Sequence, residues 1–100
     1  MAILREELSE TMYCILLSLR DERHGYGVIQ HVAEFTAGYV QLGAGTVYTS
    51  LKKLERAGWI DRTRTEDRRH YYILTERGNH ALAEQTRRIE RLHAYGRGIS

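Results

Sequence analysis

The chain has 100 residues, enough for one domain with a small core and too few for a separate catalytic domain beside it. Hydrophobic residues make up 42% of it, which excludes a disordered tail, while a formal net charge of +2 is too small to name a partner by itself. One cysteine, Cys14, rules out an internal disulfide, and no apolar run reaches the roughly 20 residues of a membrane span, so a cytoplasmic protein is expected.

Leu4, Leu8, Met12, Ile15, Leu16 and Leu19 recur at steps of three and four. That spacing predicts a first helix from Leu4 to about Leu19. Asp21 to Gly25 reads as a polar turn. Val28, Ile29, Val32 and Phe35 repeat the helical spacing, so a second helix is expected from Tyr26 to Thr36, with Gly38 as its stop. Tyr39 to Leu42 alternates and suits a connector or a small strand. A third helix opens at Gly43-Ala44, buries Val47, Leu51 and Leu54, and ends at Gly58.

Ile60–Thr65 and His70–Leu74 are rich in strand-forming residues and flank a charged turn, Glu66 to Arg69. They predict a hairpin. Thr75 is placed to cap a fourth helix running to about Tyr95. Leu82, Ile89 and Leu92 give that helix a narrow apolar seam, which suits a two-helix contact better than burial. The expected fold is therefore mainly α with a two-stranded β wing: a winged helix-turn-helix over residues 1–75, with an added C-terminal dimerisation helix over 76–100.

Three blocks sharpen this reading. They are His24-Gly25-Tyr26-Gly27, the run Leu42 to Ile60 with its Gly45-Thr46-Val47-Tyr48-Thr49-Ser50-Leu51 centre, and Tyr71-Tyr72-Ile73-Leu74-Thr75-Glu76-Arg77-Gly78. In order and spacing the chain resembles the PadR family of transcriptional regulators, in its short form with one long C-terminal helix. It departs from the family pattern at Gly43-Ala44, where Ser-Pro is common, and at Thr49, where Pro is common. The resemblance implies a homodimeric DNA-binding repressor of a pseudo-palindromic operator, and a phosphate contact from the Tyr48 hydroxyl. It also raises a small aromatic effector between subunits, for which the fourth helix offers only the ring of Tyr95, so no particular ligand is assigned.

The residues themselves support a DNA surface. Thr46, Thr49, Ser50 and Lys53 share the outer face of the third helix, and small hydroxyls allow close approach to a groove. Arg62 and Arg64 alternate along one strand, on one face, and Arg68 and Arg69 sit at the wing tip. Leu4 and Leu8, with Met12, join Leu82, Ile89 and Leu92 as the expected dimer contact. No cofactor is implied. The five histidines show no metal-ligand spacing, and no nucleophile-and-base set suggests an enzyme. A winged helix used for protein–protein contact is the alternative.

Overall fold

A computed structural model describes residues 9–98 of the chain. Its elements run α1 (Glu10–Ser18), β1 (Arg23–His24), α2 (Gly25–Phe35), α3 (Ala44–Arg56), β2 (Ile60–Glu66), β3 (Arg69–Leu74) and α4 (Glu76–Gly96). This is the predicted winged helix-turn-helix with a long C-terminal helix.

The first helix begins later than the periodicity suggests. Ser9 takes an extended conformation and its hydroxyl accepts from Met12 N, so the cap lies there and α1 starts at Glu10. Leu4 and Leu8, expected at the dimer contact, lie outside the described residues. Met12, Ile15, Leu16 and Leu19 turn inward and meet Val28 and Val32 of α2 and Val47, Leu51 and Leu54 of α3. Ile60, Tyr72 and Leu74 close the core from the sheet. The core is continuous because each helix contributes the apolar stripe that its spacing predicts.

The wing is part of a three-stranded sheet, ordered β1-β3-β2. β1 occupies the stretch expected to be only a turn, pairing Arg23 with Tyr72 and His24 with Tyr71. Two residues carry no strand periodicity, and this strand exists because β3 offers it a free backbone edge. The hairpin turns through Asp67 and Arg68, whose φ angles are +51° and +65°. Two left-handed residues in succession give the tight turn whose twist matches the strands. Between Arg62 and Arg64 the register shifts, leaving Thr63 as the unpaired residue of a bulge.

Tyr39 to Leu42 forms no strand. Instead the chain folds back on Thr36, whose hydroxyl accepts from Val40 N at 3.0 Å and donates to Val32 O at 2.7 Å. That satisfies the backbone locally and leaves no partner strand to seek.

Leu82 is also placed differently from its expectation. It is buried in the chain's own core, and Tyr13 Oη meets Thr86 Oγ1 at 2.7 Å one turn further on. The first half of α4 is thus packed on the core of the same chain, which takes Leu82 out of an exposed seam. Beyond it Ile89, Leu92 and Tyr95 are exposed.

Candidate nucleic-acid interface

The face of α3 that turns away from Val47, Leu51 and Leu54 carries Thr46, Thr49 and Lys53, all exposed, with Ser50 half-buried beside them. This is the division that the spacing predicts. Its start at Gly43 has no side-chain cap, so the first backbone N–H groups of α3 lack a capping acceptor from their own N-cap.

Tyr48 lies across the first turn of α2. A Cβ built on Gly25 would stand 2.6 Å from Tyr48 Cε1 and 3.1 Å from its hydroxyl. Gly25 therefore leaves room for the far end of the ring at the helix start. This close approach needs a glycine, and it brings the hydroxyl beside the positive end of α2.

Between α3 and the hairpin is a pocket of about 250 Å³. Lys52 enters it from α3, Arg62 from β2, and Arg68 and Arg69 from the wing tip. Tyr48 forms part of its wall, and no carboxylate lines it. Four cations with no acid among them make a strong positive potential, and a concave wall focuses it. Arg62 also has Glu55 Oε1 at 3.6 Å and lies 5.8 Å from the centre of the Tyr72 ring.

Arg64 does not join them. The bulge at Thr63 places Arg62 opposite Tyr72 and Arg64 opposite Tyr71, on opposite faces of the sheet. The expectation that both arginines share one face fails, because one inserted residue reverses the alternation. Arg64 lies 3.8 Å over the Tyr71 ring and binds Glu22 and Glu66.

His24 has an unusual position. Its Nδ1 accepts from Gly27 N at 2.9 Å and so caps α2. A neutral imidazole that accepts at Nδ1 carries its proton on Nε2. Arg69 Nη1, also a donor, stands 3.2 Å from that nitrogen. Two donors facing one another do not form a hydrogen bond; together they present two N–H groups to an acceptor such as a phosphate oxygen. Burial, and then the charges of Arg69 and Arg64, push the His24 pKa below its ordinary value of 6.5.

A pH dependence follows. The unfolded chain takes up a proton at His24 before the folded chain does, so the stability supplied by the cap is complete above the ordinary value. It is lost as the pH falls through that value to the depressed one, and levels off below it. His31, whose pKa is also lowered by burial and then by Arg23, acts in the same direction. Urea unfolding midpoints should fall across this window. His24→Asn, which caps without titrating, should remove the His24 share, and an unaltered slope would exclude the cap as its source.

Three residues at this site are not singled out by sequence reasoning: His24, Lys52 and His70, all of which line the pocket. Lys52 had a signal, since it lies four residues after Tyr48 and so on the same helix face. The histidines had none, because only the pairing of β1 with β3 brings them together. Cys14 is buried, and burial followed by the Glu10 charge raises its pKa, which makes it unreactive. Among the described residues, no group of three or more His, Cys, Asp or Glu could hold a metal ion, and no helix is long and apolar enough to cross a membrane.

The sequence model of the transcriptional regulator PadR-like family matches residues 14–84, from the middle of α1 into α4. The chain belongs to the PadR-like family. Solved structures agree with this. A transcriptional regulator from Clostridium thermocellum superposes with a TM-score of 0.79 at 21% identity, covering 98% of each chain. A PadR-like regulator from Bacillus cereus gives 0.72 at 20% identity, over 94% of this chain and 95% of that one. Bacillus subtilis PadR, solved in complex with operator DNA, gives 0.67 at 28% identity over 74% of this chain and 45% of that one. No curated protein sequence matches the chain. The PadR-like winged helix is thus common to this chain and its neighbours, with a shorter chain here than in the Bacillus subtilis protein.

Proposed function

We propose that the chain is a homodimeric, sequence-specific DNA-binding repressor acting in the cytoplasm on a pseudo-palindromic operator. The observation that carries this reading is the carboxylate-free pocket between α3 and the wing, where Lys52, Arg62, Arg68 and Arg69 converge beside the Tyr48 hydroxyl. Its chemistry suits a backbone phosphate, while the exposed hydroxyls of Thr46 and Thr49 and the Lys53 ammonium suit the groove next to it. A DNA partner is supported by the Bacillus subtilis neighbour, which was solved in complex with operator DNA.

A single module reads few base pairs. Two copies related by a two-fold axis would set their α3 helices about 34 Å apart, one turn of DNA. Ile89 and Leu92, exposed on the outer half of α4, are the residues assigned to that pairing. A small aromatic effector would relieve repression by favouring a different spacing of the two α3 helices. The protein–protein alternative needs an apolar or acidic outer face on α3, and that face carries neither.

Fluorescence anisotropy on the DNA upstream of the chain's own gene, across a salt series, tests the reading. Binding should exceed that to scrambled DNA and fall steeply with salt. Lys52→Ala and Lys53→Ala should each weaken it and lower the salt slope by about one unit. Weak binding that ignores sequence, with slopes unaltered by either change, would remove the DNA-reading role from this face.

A further inference from the structure

The face of the sheet that carries Arg64 holds a second polar cluster, centred on the bulge. Glu22 immediately precedes β1 at one edge of the sheet. β2 lies beyond β3, so the Glu22 side chain crosses the middle strand to reach it. Its Oε2 accepts from Thr63 Oγ1 at 2.5 Å, and its Oε1 accepts from Arg64 Nε at 3.0 Å. Arg64 is held further by Glu66 Oε2 at 2.7 Å and by the Tyr71 ring beneath it. His24 meets the same ring edge-on, 5.0 Å between centres. The two bonds, from Thr63 first and then Arg64, hold the Glu22 carboxyl below its ordinary pKa.

We infer that Glu22 is a positioning residue for the DNA-binding surface: it pins the bulge at Thr63 from across the sheet and thereby keeps Arg62 turned into the pocket. The physical need is plain. A bulged residue has no ladder partner, so backbone pairing alone does not fix its place. Because side chains alternate, a shift of one residue moves Arg62 to the other face. Glu22 fastens the bulged residue itself and the arginine next to it, leaving Arg62 one arrangement. On this assignment Arg64 belongs to the staple and acts on DNA only through the wing it holds.

The affinity readout rests on the DNA-binding reading, and its sign separates the inference from simple electrostatics. Glu22→Gln removes a negative charge from a DNA-facing module, and by charge alone it would tighten binding to any duplex. Loss of the staple predicts the reverse. Binding to a mixed-sequence DNA duplex of about two helical turns should weaken about three- to tenfold, the range of one ordinary intramolecular hydrogen bond. Thr63→Val, which keeps shape and strand preference but not the hydroxyl, should weaken it likewise, and Thr63→Ser should retain it. Arg64→Ala should match Glu22→Gln, leave the salt slope unaltered, and add nothing in the double variant.

A readout without DNA keeps the two readings apart. In 15N relaxation of the free protein, the amides from Thr63 to Arg69 should lose order in Glu22→Gln while the helices stay unchanged, since Glu22 is exposed and outside the core. If the wild-type chain fails to bind the duplex, the DNA reading falls, and the relaxation data alone decide the staple. Binding by Glu22→Gln that is unchanged or tighter, with wing order intact, overturns the inference. So does an Arg64→Ala salt slope reduced by a full unit, which would make Arg64 a direct phosphate ligand.

Discussion

Gly78→Ala should lower the melting temperature by more than about 10 °C, a loss of about 3 kcal/mol or more from a total of about 5–15. In an ordinary helix the same change stabilises by about 1 kcal/mol, because alanine is the better helix former. The sign reverses here because of what the new methyl would meet. A Cβ on Gly78 would stand 2.0 Å from the Trp59 carbonyl oxygen and 2.9 Å from its carbon, with Leu74 Cδ2 at 3.2 Å. The first two are backbone atoms and cannot turn aside. Relief requires α4 to move away from the end of α3, and two hydrogen bonds from Thr75 hold it there. Thr75 N donates to Trp59 O at 3.0 Å, and Thr75 Oγ1 donates to Gly58 O at 2.7 Å while accepting from Gly78 N at 3.0 Å. One hydroxyl thus caps α4 and ties it to the end of α3, and the alanine would strain both functions. Gly96→Ala is the control, since its Cβ would meet nothing within 4 Å. Circular-dichroism melts of the two variants settle the point; a Gly78→Ala protein that melts with the wild type would mean the helices join less closely than described.

The joint at Gly78 illustrates what can be read from residues in order. The Thr75-Glu76-Arg77-Gly78 run marks a helix start, and Thr75 caps α4 as its position predicts. The stops of α2 and α3 were equally legible, because Gly38 and Gly58 both take the left-handed conformation that glycine adopts most easily. Periodicity located the core for the same reason: Val47, Leu51 and Leu54 can share a face only on a helix.

Features set by pairing across the chain were not legible. β1 has two residues and no pattern of its own. The bulge at Thr63 leaves no mark in a run of alternating threonines and arginines, yet it decides which arginine reaches the pocket. Leu82 has the spacing of a seam residue, and only the proximity of α1, through Tyr13 and Thr86, makes it core instead. The outer face of α3 needed no such information, since helical geometry alone places Thr46, Thr49 and Lys53 together.

The reassignment of Leu82 sharpens the proposed dimer into a contrast between two substitutions on one helix. Exposure rises along α4, from 6% at Leu82 to 38% at Ile89, 51% at Leu92 and 62% at Tyr95. Among the described residues the helix therefore leaves the core near Thr86, and in the proposed dimer a second chain would bury the apolar residues beyond that point. Ile89→Asp with Leu92→Asp should yield a monomer in sedimentation velocity, because two charges in an apolar seam cannot be desolvated. Helix content and melting of the winged helix should change little, as neither side chain belongs to its core. Affinity for DNA carrying two half-sites should fall about a hundredfold or more, since the second module no longer binds as a tethered partner. Affinity for one half-site should stay as it was. Leu82→Ala should do the opposite: it opens a cavity under α4, costs about 2–5 kcal/mol of folding stability, and leaves the outer seam intact. If the double aspartate variant still sediments as a dimer, the pairing surface is not the outer half of α4. If Leu82→Ala dissociates the dimer without destabilising the subunit, Leu82 faces the partner after all.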